Sequence, residues 1–192
     1  MEIVIVKYNA GNTRSVLFAL ERLGYSAIVS NDHKVIQSAD RVIFPGVGQA
    51  STAMISLKEH GLDQLIPRLN QPVLGICLGM QLLCSHSEEG DTTCLNIIPE
   101  TVKQFRGDLK IPHMGWNVLS DMETDLFSGV PKSCYAYFVH SFYVPINSFT
   151  IATSDYMHEF SAAVKKDNFF GVQFHPEKSG ETGQQILKNF LQ

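Results

Sequence analysis

Residues 73–81, with the sequence VLGICLGMQ, constrain the fold of this chain more than any other segment. The pattern is typical of a buried strand that turns sharply into a helix, with Cys77 at the turn and a glycine two residues away on each side. Small flanking residues are needed because such a turn strains the central residue and brings neighbouring backbone close. The turn also places the thiol at a helix N-terminus, whose dipole stabilises negative charge. The segment therefore predicts a nucleophile elbow with Cys77 as the nucleophile.

A second segment, residues 174–177 with the sequence FHPE, offers a base and an orienting acid for that thiol. Residues two apart in an extended chain point to the same side, and Pro176 is expected to keep the backbone extended between His175 and Glu177. The carboxylate can then accept one imidazole N–H, which leaves the other nitrogen to face the thiol. Each motif alone is weak evidence, because free cysteine is usually a small buried hydrophobe. Together they predict a triad of Cys77, His175 and Glu177.

Composition excludes several classes of function. The 192 residues are 44% hydrophobic and 18% charged with a net charge of −4, and no Lys/Arg run suggests nucleic acid as a partner. No apolar run approaches the roughly 18 residues of a membrane span, and the N-terminus is expected to be a strand and not a signal peptide. The cysteines lack C-x-x-C spacing, so no metal site is expected and a reducing, cytoplasmic location is the default. Because there is no phosphate-binding loop, we expect no ATP and no other cofactor.

The two halves of the chain differ in pattern. Strand patterns cover residues 2–6, 25–29, 40–44 and 73–76, and helix patterns cover the segments 13–23, 50–59 and 62–69. Later strand patterns cover residues 102–105, 117–119, 135–144, 150–153, 162–165 and 169–174, and a helix pattern covers 181–191. Repeated strand–helix units predict a mostly parallel central sheet flanked by helices. We therefore expect one α/β domain, residues 1–192, with a strand-rich insertion in the second half. His86 is expected in a loop, and His33, His60 and His158 at the surface.

Several motifs together resemble those of class I (triad-type) glutamine amidotransferases, and the resemblance extends over the whole chain. Residues 75–81 and 174–177 are similar to the two signature segments of that family. Four further motifs are similar to those of the branch that forms the glutaminase subunits of imidazole glycerol phosphate synthases. They are YNAGN at 8–12, PGVG at 45–48, PHMGWN at 112–117 and YFVHSF at 137–142. The resemblance implies a flavodoxin-like fold and hydrolysis of glutamine.

The resemblance implies a role for each triad residue. Cys77 attacks the side-chain amide carbon of glutamine, His175 moves the thiol proton to the departing ammonia, and Glu177 orients His175. A glutamyl thioester forms, and water hydrolyses it to glutamate. The oxyanion hole is implied at the Leu78 backbone N–H and the Val47 loop. The implied glutamine-binding residues are Gly46, Gly48, Gln81, Glu89, His140, Ser141 and Phe142.

The resemblance also implies a protein partner. Ammonia passes to a cyclase subunit with a (β/α)8 barrel, which makes imidazole glycerol phosphate and an aminoimidazole carboxamide ribotide in histidine biosynthesis. This chain has no segment of barrel size, so the cyclase is expected to be a separate polypeptide in a heterodimer. The implied interface residues are Asn12, Trp116, Tyr137 and Lys178. From the residues alone, Trp116 suits a core equally well and Lys178 suits a solvated surface.

The PGVG loop departs from the Pro-Gly-Gly of most relatives in the class. Val47 disfavours positive φ, so we expect the loop to rest with a carbonyl facing the oxyanion site until partner and ligand favour the competent conformation. This hypothesis predicts very low glutaminase activity for the isolated chain, which rises strongly with the cyclase and its ligand.

Three alternatives stay open at this point: a glutaminase of pyridoxal phosphate synthesis, an elbow-type thiol hydrolase or peptidase, and a non-catalytic subunit that only binds a partner. The PGVG loop and the motif around His113 argue against the first. Glu177, two residues after His175, argues against the elbow-type thiol hydrolase or peptidase. The filled triad argues against the third.

Overall fold

The computed structural model of the protein describes residues 1–9 and 11–192. Up to residue 82 the elements are β1 (Ile3–Val6), α1 (Thr13–Arg22), β2 (Ile28–Ser30), α2 (His33–Ser38), β3 (Arg41–Gly46), α3 (Ala50–Glu59), α4 (Leu62–Leu65), β4 (Val73–Cys77) and α5 (Leu78–Leu82). They are followed by β5 (Cys84–Ser87), β6 (Thr92–Thr93), β7 (Ile98–Gln104), β8 (His113–Leu119), β9 (Cys134–His140) and β10 (Phe142–Tyr143). The last elements are β11 (Thr150–Tyr156), β12 (His158–Lys166), β13 (Phe169–Val172) and α6 (Gly180–Leu191).

The central sheet has seven strands in the order β11-β12-β13-β4-β3-β1-β2. The five strands from β13 to β2 are mutually parallel, and β12 runs antiparallel to both of its neighbours. This confirms the predicted α/β class with a mostly parallel central sheet. Strand β4, which leads into Cys77, has neighbours on both sides and is buried along its length.

Helices cover both faces of this sheet, because alternate strand residues point to opposite sides. In β1, Ile3 and Ile5 pack into a cluster with residues of α1 and α6, including Leu20 and Ile186. Val4 lies between them and packs into a second cluster with residues of α2, α3 and α4. The near-continuous apolar run of β1 is therefore explained by burial on both faces.

The strand-rich second half contributes to more than one sheet. Strands β11, β12 and β13 extend the central sheet, β10-β7-β5-β6 form a four-stranded sheet, and β8 and β9 form a two-stranded ribbon. His86 was expected in a loop, but it lies in β5 and pairs with Thr93. His158 was expected at the surface, but it lies in β12 against the ring of Phe105.

Two local predictions in the first half were wrong in their bounds, and one helix was not predicted. The second strand begins at Ile28 and not at Tyr25, because the Tyr25 N–H still bonds the Leu20 carbonyl of α1. The predicted helix 62–69 changes to a 3-10 turn at Ile66–Arg68, because Pro67 has no N–H to continue the α-helical bonds. Helix α2 was missed.

The signal for α2 was Asp32. Its carboxylate accepts bonds from the N–H groups of Lys34 at 2.8 Å and Val35 at 3.2 Å, which is the contact of an N-cap residue.

No helix in the described part of the chain is both long enough and apolar enough to span a bilayer.

Candidate active site

Cys77 lies at the sharp turn between β4 and α5, as the elbow prediction requires. Its backbone has φ 54° and ψ −111°, a region that non-glycine residues rarely occupy. The turn is tight because α5 packs directly on β3: a Cβ at Gly79 would overlap the carbonyl oxygen of Phe44. The thiol is buried, with Sγ 3.8 Å from the Val139 carbonyl oxygen.

His175 and Glu177 form a buried pair. The Nδ1 atom of His175 lies 2.8 Å from Oε1 of Glu177, and both side chains are almost fully inaccessible. The backbone between them was predicted to be extended, and this was wrong, because Pro176–Lys178 form a 3-10 turn. In this tight turn the carboxylate folds back onto the ring. The backbone N–H of His175 donates to the Tyr137 carbonyl at 2.9 Å, and this bond fixes the turn to β9.

Electrostatics around His175 favour its protonated form. Burial alone lowers the pKa of His175, but the Cys77 thiol and the Glu177 carboxylate beside it outweigh burial and raise this pKa well above its usual value. Nδ1 is occupied by Glu177, whereas Nε2 has no hydrogen-bond partner of good geometry among residues 1–9 and 11–192. Nε2 is therefore the ring atom that can hold the thiol proton, and the raised pKa of His175 favours its transfer from Cys77.

A cavity of about 320 Å³ opens at the thiol. Its lining is Val47, Gly48, Cys77, Leu78, Gln81, Glu89, Pro112, Val139, His140, Ser141, Phe142 and His175. Most residues predicted from the sequence thus meet at one cavity. Gly46 and Glu177 are the exceptions: Gly46 pairs with Cys77 at the strand ends, and Glu177 lies behind His175.

Gln81 and Glu89 place polar side chains at the cavity, and hydrogen bonds within the protein hold both side chains. Gln81 Nε2 donates to the Phe142 carbonyl at 2.9 Å and to Gln173 Oε1 at 3.0 Å. Glu89 Oε2 accepts from the Ala50 N–H at 2.8 Å, at the first residue of α3. Burial raises the pKa of Glu89, and the Ala50 bond partly offsets that rise. The cavity wall therefore carries one buried amide and one carboxylate.

Gln173 was missed from the sequence, although its amide Nε2 lies 3.8 Å from Cys77 Sγ. It is fully buried, directly after the end of β13 and two residues before His175. A polar residue so close to His175, at the end of an otherwise apolar segment, was the signal that could have identified it. Pro112 and Val139 of the lining were also missed, and they carry no local signal.

The PGVG loop lies at the cavity with Val47 exposed. Gly48 adopts φ +97°, so the left-handed residue of this loop is the last glycine and not Val47. The Tyr8 hydroxyl donates to the Pro45 carbonyl at 2.9 Å and anchors the start of the loop. Val47 itself does not adopt positive φ, which is the premise of the hypothesis on the resting loop.

The predicted interface residues fall into one surface cluster and one separate position. Trp116 of β8 is 56% exposed, and its ring lies 6.0 Å from that of Tyr137, its partner in β9. Lys178 places Nζ 5.9 Å from the centre of the Tyr137 ring. Asn12 accepts from the Ser15 N–H and caps α1. In the motif at 8–12, Ala10 lies outside the described residues.

The two histidines of the remaining motifs come together although they are 27 residues apart. His113 Nδ1 lies 2.9 Å from His140 Nε2, and both rings are buried. Burial lowers the pKa of His113 to about 4 and that of His140 to about 3. Both rings are therefore neutral at pH 7.

This pair predicts a loss of stability in acid. In the unfolded chain both pKa values return to about 6.5. As the pH falls from about 6.5 towards 4, the unfolded state binds protons that the folded state does not, so the free energy of unfolding decreases. Denaturant unfolding at pH 7.5 and pH 4.5 measures this decrease. We expect it to be smaller in His113→Phe than in the unaltered chain by about 1–2 kcal/mol. An equal decrease in both proteins would contradict the neutral, buried state of His113.

Comparison with known proteins identifies the family. The model of the family "Glutamine amidotransferase class-I" matches residues 4–192. A Bacteroides fragilis protein named imidazole glycerol phosphate synthase subunit HisH is 56% identical over 195 residues, which cover 100% of both chains. A protein of the same name from Bacteroides thetaiotaomicron is 57% identical and is covered over 99% of its length.

Solved structures agree on the fold. A glutamine amidotransferase crystal structure superposes with a TM-score of 0.77 at 17% identity and covers 98% of this chain and 96% of that one. A chain of the PurLQS structure from Thermotoga maritima gives a TM-score of 0.71 at 19% identity, with 99% and 97% covered. The chain belongs to the class-I glutamine amidotransferase family, in the group of relatives named imidazole glycerol phosphate synthase subunit HisH.

Proposed function

We propose that this protein is the glutaminase subunit of an imidazole glycerol phosphate synthase and that it supplies ammonia for histidine biosynthesis. The observation that carries the proposal is the buried Cys77 at the strained elbow, in one cavity with a histidine that is paired to a carboxylate. Full-length relatives at 56–57% identity bear the name of that synthase subunit. These names also argue against the pyridoxal phosphate branch.

The chemistry follows from the arrangement. The Cys77 thiol gives its proton to His175 Nε2, and the sulfur attacks the side-chain amide carbon of glutamine. Glu177 holds Nδ1 and stabilises the imidazolium. The imidazolium then protonates the amide nitrogen, the C–N bond breaks, ammonia departs, and a glutamyl thioester remains on Cys77. Water, deprotonated by His175, releases glutamate.

Developing negative charge on the amide oxygen needs donors that are in place before the reaction. The Leu78 N–H at the start of α5 is the first. The PGVG loop supplies the second once Val47 turns its N–H towards the site. Gly48, Gln81, Glu89 and the 140–142 segment bind the rest of the glutamine molecule, with Glu89 facing the α-amino group and Gly46 supporting the PGVG loop from the end of β3.

The test mixes this chain with the cyclase subunit of the synthase and measures ammonia or glutamate released from glutamine. We expect hydrolysis in the complex, and we expect the isolated chain to be about 5- to 150-fold slower, the usual range of coupling between sites. We expect this difference because the PGVG loop of the isolated chain rests without the second N–H donor of the oxyanion hole. Full activity of the isolated chain would refute the loop hypothesis, and no activity in either form would refute the function.

The cyclase is proposed to be a separate (β/α)8 barrel that binds the cluster Trp116, Tyr137 and Lys178 and, at a separate position, Asn12. Exposed aromatic side chains of this kind carry much of the binding energy at interfaces. Met114 and Tyr135 extend the same apolar surface, with exposures of 63% and 57%.

Trp116→Ala is expected to weaken the heterodimer by about 2 kcal/mol, roughly 30-fold in Kd. Calorimetric titration with the cyclase subunit measures the change. Ile55→Ala is the matched control, because Ile55 is 59% exposed on α3, away from the β8–β9 ribbon. Equal effects of the two substitutions would show that the cyclase does not use this cluster.

We further propose that the chain acts as one glutamine amidotransferase domain in the cytoplasm. Both apolar clusters draw side chains from the first and the second half of the chain, which supports a single unit. The four cysteines are free and buried, which is typical of a reducing compartment.

A further inference from the structure

A line of hydrogen bonds runs from the β8–β9 ribbon into the cavity. Asn117 Nδ2 lies 3.3 Å from His113 Nε2, and His113 Nδ1 lies 2.9 Å from His140 Nε2. His140 Nδ1 lies 2.7 Å from the Phe142 carbonyl oxygen. The line therefore links four residues, and its last member belongs to the cavity wall.

The direction of these bonds can be deduced from the Phe142 end. A carbonyl oxygen only accepts, so His140 Nδ1 must carry its proton. In a neutral ring Nε2 of His140 then has no proton and must accept from His113 Nδ1. By the same reasoning His113 Nε2 is unprotonated and accepts from the Asn117 amide.

The Asn117 end gives the same direction independently. Its Nδ2 donates to the Asp155 carbonyl at 2.8 Å, and its Oδ1 accepts from the Val118 N–H at 2.8 Å. These two bonds fix which end of the amide faces His113. Nδ2 is therefore the atom that points to the ring, and it can only donate. Both ends thus require both histidines in the Nδ1–H form.

The surroundings keep the two rings neutral and in place. His113 stacks on Tyr156, with ring centres 4.1 Å apart, and on Phe138 at 5.1 Å. Phe105 packs edge-on against His140 at 5.3 Å. Adding a proton to either ring would place two N–H groups face to face, and burial already disfavours such a proton.

The Phe142 carbonyl is held from a second side by Gln81 Nε2 at 2.9 Å. Gln81 also bonds Gln173 Oε1, and Gln173 Nε2 lies 3.8 Å from Cys77 Sγ. One backbone carbonyl therefore joins the cavity wall to the side chains that pack around the thiol. Without His140, Gln81 would be the one side-chain partner left to it among the described residues.

We propose that His113 is a positioning residue, which acts through His140 to fix the Phe142 carbonyl and with it the Ser141–Phe142 wall of the cavity where glutamine binds. His113 itself does not line the cavity. This inference rests on the proposed glutaminase function for its kinetic test, but its structural content, the two Nδ1–H tautomers, does not depend on that function.

The kinetic test compares three variants in the complex with the cyclase subunit. His113→Phe keeps the stacked ring but removes the donor to His140, whereas His113→Asn keeps an amide donor near the former Nδ1. His158→Phe is the matched control, since His158 belongs to the same aromatic cluster but not to the hydrogen-bonded line.

We expect His113→Phe to raise KM for glutamine about tenfold with kcat nearly unchanged, because the wall binds substrate and transition state alike. His113→Asn should restore KM to within about twofold of the unaltered chain, and His158→Phe should not change it. Equal losses in His113→Phe and His113→Asn, or an unchanged KM in His113→Phe, would overturn the proposal.

The second readout is the side-chain 15N spectrum of histidine-labelled protein at pH 7.5, which distinguishes protonated from unprotonated ring nitrogens. We expect His113 and His140 both as the Nδ1–H tautomer. An Nε2–H form of either ring would overturn the proposal even if the kinetics agree. If the unaltered complex releases no ammonia, the proposed function fails. The spectra still test whether His113 and His140 are both Nδ1–H tautomers.

Discussion

Replacing Cys77 by alanine is expected to reduce glutamine-dependent ammonia release by about 10⁴-fold or more, because the covalent route through the thioester is lost. The cavity, the buried pair of His175 and Glu177, and the interface cluster do not need the thiol. The variant should therefore fold, bind the cyclase and support synthesis of imidazole glycerol phosphate when free ammonia replaces glutamine. Assays of the complex with each nitrogen source measure the two activities separately.

Cys84→Ala is the matched control for this experiment. Cys84 is a fully buried free cysteine that lies at the start of β5 and outside the cavity lining. Its substitution removes the same thiol volume and should leave glutamine-dependent activity close to that of the unaltered complex. Retention of that activity in Cys77→Ala, or an equal loss in Cys84→Ala, would contradict the assignment of the nucleophile.

The second large effect is expected from Gly79→Ala. Its added Cβ would overlap the backbone carbonyl of Phe44, which belongs to the central strand β3 and cannot move cheaply. We expect a loss of more than about 4 kcal/mol in the free energy of unfolding, the range reached only by severe steric or packing defects. Denaturant unfolding measures it, and any folded fraction should have lost activity because α5 carries the Leu78 N–H.

Gly107→Ala provides the comparison. The Cβ at that position would meet the end of the Met157 side chain at 3.0 Å, which can shift, and the backbone of Gly107 is not left-handed. We expect a change within about 0.5 kcal/mol. Comparable stability of the two variants would show that α5 does not pack directly on β3 at Gly79.

The sequence predicted those parts of the fold that depend on local pattern. Continuous apolar runs located β1 and β4, and the periodic face that ends at Gly24 located α1. The bounds were wrong where a non-local or backbone contact decided them. Tyr25 stays bonded to α1, Pro67 interrupts a helix, and β8 extends to His113 because β9 pairs with it along its length.

The site residues were predictable where a short, contiguous motif contains residues whose chemical role follows from their type and spacing. The Cys77 elbow and the His175–Glu177 pair are of that kind, although the pair is held by a 3-10 turn that the sequence argument did not foresee. The contact between His113 and His140 depends on the pairing of β8 with β9, which no local pattern encodes. Gln173 was missed because its partners, Gln81 and Cys77, lie more than 90 residues away.

The central claim is that the Cys77 sulfur forms a thioester with the glutamyl group. The direct measurement is to mix the complex with glutamine, quench in acid within one turnover, and map the modified peptides by mass spectrometry. We predict a glutamyl adduct on the peptide that contains Cys77, and its absence in Cys77→Ala. A glutamyl adduct on Cys84, Cys94 or Cys134, or rapid glutamine hydrolysis with no adduct on Cys77, would contradict the account.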